Sequence, residues 1–251
     1  MGESLRTSTP SIAELRAATQ PPEIFARNSG EHWAGRLYIR RLSPYATRLF
    51  VHAGLSPNTV TWLFVAAGVA AAAVLALEDL GIAGVVAAAL LIQLQILLDC
   101  SDGEVARWQG RHSAKGIYLD RIGHYVTEAG LPIALGIRTD ELTLGLVVAV
   151  LVLMIKSETA LVHVARAESG QPPPPDRADV AAPRAGVLRR LRGAAAALPF
   201  YRAFVAMEFT LLVLVAEAFD EADTLLVALV PVAAVTALGH LVAVLTSERL
   251  R

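Results

Sequence analysis

Three carboxylates and one imidazole stand close together in otherwise apolar sequence, at Asp99, Asp102, Asp120 and His124. An ionised side chain in a hydrophobic segment costs several kcal/mol, so such groups usually have a function. On α-helices, Asp99 and Asp102 share one face, and Asp120 and His124 are one turn apart. Two helical stripes of this kind, joined by a short polar link, can gather oxygens around a hard divalent cation. The spacing therefore predicts a metal-dependent site where two helices meet.

The elements that carry these groups belong to a strongly apolar chain. Of its 251 residues, 55% are hydrophobic and 18% are charged, and the mean hydropathy is +0.51. This composition is too apolar for an ordinary soluble domain. The single cysteine, Cys100, excludes an intramolecular disulfide and a cysteine metal cluster. The polar N-terminal arm contains no apolar run typical of a signal peptide. We expect no nucleic-acid partner for this membrane protein.

Hydropathy predicts an all-α, polytopic membrane protein with six transmembrane helices. The predicted domains are a cytosolic arm with a juxtamembrane amphipathic helix, residues 1–54, and a six-helix transmembrane domain, residues 55–251. The spans are predicted at Thr59–Leu77, Ile82–Ala106, Ile117–Ile137, Leu142–Val164, Phe204–Phe219 and Thr224–Leu245. The second and third spans carry the acidic residues and the histidine.

The distribution of basic residues predicts the orientation of these spans. Arginine and lysine concentrate in the arm, in the links after spans two and four, and at the C-terminus. The three opposite loops carry acidic residues and one arginine, Arg138. By the positive-inside rule, we expect both termini and the acidic site on the cytosolic side of the cell membrane.

The arm and the first span contain further signals. Ser11 and Glu14 form the pattern of a capping box at the start of a short helix. Residues 31–50 mix aromatic, aliphatic and arginine side chains, which predicts an interfacial amphipathic helix broken near Pro44. A purely topogenic basic arm explains them equally well. Asn58 and Thr61 lie at the start of span one and would face the same cytosolic opening as the acidic residues. Asn58 is equally well explained with or without a contact to a ligand.

The acidic stretch resembles the signature of the CDP-alcohol phosphotransferase family. The residues at the family spacing are Asp99, Asp102, Gly103, Ala106, Arg107, Gly116 and Asp120. The resemblance implies that an alcohol attacks the β-phosphorus of a CDP-linked donor, usually CDP-diacylglycerol, and that CMP leaves. It also implies that the protein forms a homodimer and that membrane lipids surround it.

The same resemblance implies roles for individual residues. Asp99, Asp102 and Asp120 would hold Mg²⁺ or Mn²⁺ at the pyrophosphate, which suits the charge neutralisation that phosphoryl transfer requires. The residues implied to line the nucleotide are Gly103, Ala106, Arg107 and Gly116, with Asn58 and Thr61 at the same cytosolic opening.

His124 departs from the family pattern, which has a fourth aspartate at this position. His124 can be the general base, a ligand of a second metal, or the sign of altered or lost activity. Glu128 lies one helical turn further on, and we predict that it orients the imidazole.

The acceptor site gives weaker signals. Lys156 and Arg202 are candidate acceptor-binding residues, although Lys156 can simply pair with Glu158 or with an acid on another helix. The arginines at 189, 190 and 192 are predicted to contact anionic lipid headgroups. Two non-enzymatic alternatives remain, a catalytically altered or inactive membrane scaffold and a cation transporter. A third alternative keeps the transferase but has it transfer from a soluble CDP-alcohol to a lipid acceptor. The position of the acids at one end of the spans argues against transport.

Overall fold

The computed structural model describes residues 9–21, 33–173, 200–247 and 250. In these ranges the chain forms eight α-helices and no β-strand, which confirms the predicted all-α fold. The helices are α1 (Ile12–Thr19), α2 (Arg40–His52), α3 (Pro57–Leu75), α4 (Gly81–Gln109), α5 (Ala114–Arg138), α6 (Leu142–Glu168), α7 (Ala206–Ala218) and α8 (Ala222–Thr246). The arginine cluster at 189–192 lies outside the described residues.

Four segments of the described chain are long and apolar enough to cross a membrane. They are Pro57–Leu75, Glu78–Gln109, Leu142–Glu168 and Ala222–Thr246, and they support a polytopic membrane protein. The predicted third span corresponds to α5, whose apolar sequence is interrupted by charged residues. The predicted fifth span corresponds to α7, which has 13 residues, whereas about 20 are needed to cross the hydrocarbon core. The count of six spans therefore stays a prediction.

One compact unit comprises residues 1–70 and 90–126. Its core is apolar and includes Leu15, Val60, Phe64, Val105 and Trp108. The capping box at α1 is present as the sequence predicts. The Ser11 backbone N–H donates to Glu14 Oε2 at 2.8 Å, and the Glu14 N–H donates to Ser11 Oγ at 3.2 Å.

The predicted break near Pro44 is wrong. Helix α2 runs through Pro44, and the irregular backbone lies before it, as a π-helical turn over Gly35–Ile39. Proline lacks an N–H, so the carbonyl of Arg40, four residues earlier, loses its helical donor. Gln20 Nε2 donates to this carbonyl oxygen at 2.9 Å, which compensates for the loss.

Helix α2 is amphipathic. Ser43 and Thr47 are buried, whereas Leu42, Tyr45 and Leu49 are exposed on the helix that also carries arginines. Its location at the membrane interface stays a prediction, as does the predicted domain division at residue 54.

The second compact unit comprises residues 71–89 and 127–251. Helices α5 and α6 approach closely where two glycines meet, because the Gly136 Cα lies 3.0 Å from the place where a Cβ of Gly145 would stand. Buried Arg138 forms an ion pair with Glu217 and donates from Nη1 to the Leu77 carbonyl oxygen at 3.0 Å. Arg138 thus links α5 to α7 and to the segment that follows α3.

Candidate functional site

Asp99, Asp120 and His124 form one cluster in the first unit. His124 Nε2 lies 3.3 Å from Asp99 Oδ1 and 3.6 Å from Asp120 Oδ1. One ligand atom from each residue lies within 4.8 Å of the other two. Helix α4 supplies Asp99, and α5 supplies the other two residues from adjacent turns. The two helices therefore meet as the sequence spacing predicts.

This cluster has the donor set of a divalent cation site. The two carboxylates suit Mg²⁺ or Mn²⁺, which commonly keep water or substrate phosphate oxygens as further ligands, whereas an imidazole ligand favours a softer divalent ion than Mg²⁺. All three side chains are partly exposed, at 30% for Asp99, 41% for Asp120 and 38% for His124. The residues present thus fit the metal that the sequence implies. Because their side chains are partly exposed, a substrate can reach an ion bound there.

Asp102 is held differently from these three residues. Its Oδ2 accepts a hydrogen bond of 2.7 Å from Thr61 Oγ1, and both side chains are buried. Thr61 lies on the first turns of α3, so this bond ties α3 to α4. Asp102 is not among the three residues whose ligand atoms cluster in the described chain. Its role as a metal ligand and the nucleotide contact of Thr61 stay predictions.

Asn58 and Gly116 are neighbours at the starts of α3 and α5. A Cβ on Gly116 would stand 3.2 Å from Asn58 Oδ1 and 3.3 Å from Ser113 Oγ. The Gly116 N–H donates to Ser113 Oγ at 3.0 Å, as expected for a helix N-cap. The absent side chain therefore leaves room for the amide of Asn58. The structure brings together two residues that were predicted to line the nucleotide.

Arg107 folds back over the helix that carries it. Its guanidinium covers the bare backbone of Gly103, since a Cβ there would stand 3.2 Å from Arg107 Nη1. Its Nε donates to the Thr19 carbonyl oxygen at 2.7 Å. Ala106, on the preceding position, is partly buried. Gly103 thus permits close approach, and in this structure the group that approaches is Arg107.

Sequence reasoning missed Glu104, which is fully buried inside the signature. Its carboxylate accepts hydrogen bonds from Gln20 Nε2 at 2.8 Å, Ser43 Oγ at 2.5 Å and Thr47 Oγ1 at 2.7 Å. Arg40 Nη1 lies 3.4 Å away. The available signal was an acid within an apolar helix, at a position that the family signature leaves open.

Sequence reasoning also missed the surroundings of the His124 ring. Fully buried Phe64 packs against it, with ring centroids 5.1 Å apart and an interplanar angle of 55°. Gly123 makes this contact possible, because a Cβ on Gly123 would overlap the edge of the Phe64 ring. An aromatic residue in an apolar span carries no signal that would distinguish it from ordinary core.

The predicted acceptor residues lie in the second unit. Glu128 Oε2 forms an ion pair with Lys156 Nζ at 2.7 Å, so Lys156 does pair with an acid on another helix. Glu158 pairs instead with His240 Nδ1 at 2.7 Å. Arg202 is exposed in the 3₁₀-helical turn Phe200–Phe204. The orienting role of Glu128 and acceptor binding by Lys156 and Arg202 stay predictions.

Comparison with known families supports the signature. Residues 54–219 match the CDP-alcohol phosphatidyltransferase family model. This matched segment contains Asp99, Asp120 and their signature neighbours. Helices α1, α2 and α8 lie outside the match. No curated protein matches the chain. Because the match covers most of the 251 residues, the chain belongs to the CDP-alcohol phosphatidyltransferase family.

Proposed function

We propose that this protein transfers a phosphatidyl group from CDP-diacylglycerol to an alcohol, with release of CMP, in phospholipid synthesis. The observation that carries the proposal is the cluster of Asp99, Asp120 and His124 within the segment that matches the family. Four long apolar segments supply the membrane setting that a lipid donor requires. The reaction consumes no nucleoside triphosphate, because the donor pyrophosphate bond supplies the leaving group.

The cluster is proposed to hold Mg²⁺ or Mn²⁺ at the donor pyrophosphate. A bound divalent cation supplies neutralisation of the charge that develops on the phosphate oxygens. Asp99 and Asp120 contribute carboxylate oxygens to this site. Asp102, fixed by Thr61, offers a further carboxyl group one turn from Asp99 on the same helix and is a further proposed ligand.

The remaining signature residues are proposed to bind the nucleotide. Asn58 offers a side-chain amide, and Gly116 beside it has no side chain to obstruct a ligand. Arg107 offers a guanidinium, which suits phosphate oxygens because several N–H donors lie in one plane. Arg202 and Lys156 remain proposed contacts of the acceptor alcohol. Lys156 would have to exchange its bond with Glu128 for one with the acceptor.

His124 has two candidate roles, and its geometry favours one. Nε2 is the nitrogen that faces both aspartates, so this atom completes the donor set of the cluster. We therefore place it first as a metal ligand. The alternative is that Nε2 takes the proton of the attacking hydroxyl. Replacement of His124 by Asp separates the two, since a ligand role predicts a changed preference between Mg²⁺ and Mn²⁺.

The test uses purified protein with CDP-diacylglycerol and a panel of alcohols, with CMP release and the mass of the lipid product as readouts. We expect CMP release with Mg²⁺ or Mn²⁺ and none after chelation by EDTA. Asp99→Asn should abolish the release, whereas Asp79→Asn, at an exposed acid outside the cluster, should leave it unchanged. No metal-dependent CMP release with any alcohol would refute this reaction. Release of CMP from a soluble CDP-alcohol with diacylglycerol as acceptor would support the alternative in which the lipid is the acceptor and the alcohol is part of the donor.

We further propose that the protein is a homodimer in the cell membrane with both termini in the cytosol. The orientation rests on the basic N-terminal arm and the acidic opposite loops. Labelling of single introduced cysteines at the termini of a Cys100→Ser chain, in sealed vesicles of known orientation, tests this topology.

A further inference from the structure

Helix α1 lies outside the family match but contacts the signature helix at two points. The carbonyl oxygen of Thr19, the last residue of α1, accepts the hydrogen bond from Arg107 Nε at 2.7 Å. The next residue, Gln20, donates from Nε2 to Glu104 Oε1 at 2.8 Å. The end of α1 therefore holds the signature residue Arg107 directly and is itself fixed by Glu104 of the same helix.

Glu104 acts as the anchor for this attachment. A fully buried carboxylate requires several donors to offset its lost hydration. Helix α2 supplies Ser43 Oγ and Thr47 Oγ1, and Gln20 supplies an amide N–H from the end of α1. A carboxylate that gathers donors from two N-terminal elements defines where both lie against α4.

Near its proline, helix α2 offers backbone acceptors to side chains at the C-terminal end of α1. Pro44 has no N–H, so the carbonyl oxygen of Arg40 on α2 lacks its helical donor. Gln20 Nε2 donates to the Arg40 oxygen at 2.9 Å, and Arg16 Nη2 donates to the Arg41 oxygen at 3.1 Å. The side chains of α1 thus match backbone acceptors on α2.

The position of α1 depends on these contacts. An isolated helix of eight residues is unstable in water. Leu15 is fully buried in the core that also contains Phe64 and Val105, which adds an apolar contact to the polar ones. Loss of the Gln20–Glu104 bond would therefore loosen the C-terminal end of α1, where the Thr19 carbonyl meets Arg107.

We propose that α1 is a positioning element for Arg107, and that Gln20 and Glu104 are the positioning residues that hold it. The Thr19 carbonyl fixes Nε, so that the guanidinium lies against Gly103 in one orientation. The inference rests on the proposed function in one respect, namely that Arg107 contacts the phosphate of the cytidine nucleotide. Without α1, the arginine would have to be ordered at the expense of nucleotide affinity.

The test compares three full-length variants with the wild type. Gln20→Glu places a second carboxylate against Glu104 and removes the donor. The double variant Gln20→Glu, Glu104→Gln exchanges donor and acceptor and restores a hydrogen bond between the two positions. Gln109→Glu is the matched control, because Gln109 donates to the Leu55 carbonyl oxygen from the same helix and has no part in holding α1.

Two readouts separate the docking of α1 from its effect on Arg107. Trypsin cleavage after the exposed Arg16 reports release of α1, and CMP binding to the purified protein reports the nucleotide site without requiring turnover. For Gln20→Glu we expect faster cleavage and CMP affinity weaker by about tenfold, the scale of one hydrogen bond to a charged group. The donor KM should rise in parallel while the acceptor KM stays within about twofold. The double variant should recover both readouts in part, and Gln109→Glu should change neither.

The outcomes are distinct. Faster cleavage with unchanged CMP affinity would overturn the inference, and so would CMP affinity that increases, since α1 would then hold Arg107 away from the nucleotide. Equal loss in Gln109→Glu would show a general effect on folding and overturn it as well. If the wild type binds CMP but transfers nothing, the proposed function fails while the CMP affinities still decide the role of α1. If the wild type does not bind CMP, both proposals are wrong.

Discussion

Gly123 offers the sharpest test of how the His124 ring is supported. Gly123 precedes His124 on α5, and Phe64 of α3 packs both against Gly123 and against the imidazole. A Cβ on Gly123 would overlap the Phe64 ring and stand 2.7 Å from Val65 Cγ2. The substitution Gly123→Ala must therefore displace a fully buried aromatic side chain. We expect the imidazole to move with it.

The magnitude follows from two opposing terms. Overpacking of a close contact costs about 1–3 kcal/mol, whereas replacing glycine by alanine inside a helix contributes up to about 1 kcal/mol. Gly130, on the same helix, provides the matched control, because a Cβ there would stand 3.4 Å from Ala72 Cβ, an ordinary contact. Gly130→Ala should therefore be neutral or stabilising. Gly123→Ala should be less stable than this control by about 1–3 kcal/mol.

The assay is thermal unfolding in detergent, followed by metal-dependent CMP release. Each kcal/mol corresponds to about 2–4 °C in Tm for a chain of this size. We expect Gly123→Ala to unfold at lower temperature than Gly130→Ala and to release CMP more slowly. Phe64→Leu added to Gly123→Ala should recover part of the Tm, because a smaller side chain relieves the overlap. Equal Tm and equal CMP release in the two alanine variants would refute the reasoning.

Three further perturbations test other parts of the chain. His124→Ala should abolish CMP release and His124→Asp should restore part of it, so full CMP release by the alanine variant would exclude both proposed roles of the imidazole. Glu128→Gln should cost about 1–3 kcal/mol because it removes the carboxylate that pairs with the partly buried Lys156, and a second change, Lys156→Met, should recover most of the Tm. The hydrogen bonds from the Ser11 hydroxyl and backbone N–H lower the pKa of the Glu14 carboxyl. The capping box therefore stabilises α1 above the unfolded pKa and loses this effect as the pH falls through the folded pKa. Amide hydrogen exchange in α1, relative to Glu14→Gln, should show this loss only in the wild type.

The sequence predicted those features that follow from periodicity and from charge in apolar surroundings. Asp99, Asp120 and His124 were predicted to meet because helical spacing places Asp120 and His124 on one stripe, which can face the stripe that carries Asp99. The start of α1 was predicted because the Ser11 pattern with Glu14 depends on residues three positions apart. Both signals are local, so they do not require knowledge of the tertiary structure.

The missed features depend on contacts between distant parts of the chain. The partners of Glu104 come from α1 and α2, and no spacing rule connects Gln20 or Thr47 to the signature. The error at Pro44 has the same origin. The sequence shows that proline removes a hydrogen bond, but only the tertiary structure shows that Gln20 supplies another donor to the Arg40 carbonyl and that the helix continues.

The signature helix therefore divides two tasks between two of its faces. Asp99 faces His124 of α5, where the cluster forms, and Asp102 accepts a hydrogen bond from Thr61 of α3. Glu104 and Arg107 lie three residues apart on a neighbouring stripe, and their partners lie on α1 and α2. Because one rigid helix carries both stripes, contacts that fix the N-terminal elements also fix the orientation of α4 that the aspartates share. A substitution on the Glu104 stripe should therefore alter nucleotide binding without removing any group of the proposed metal site.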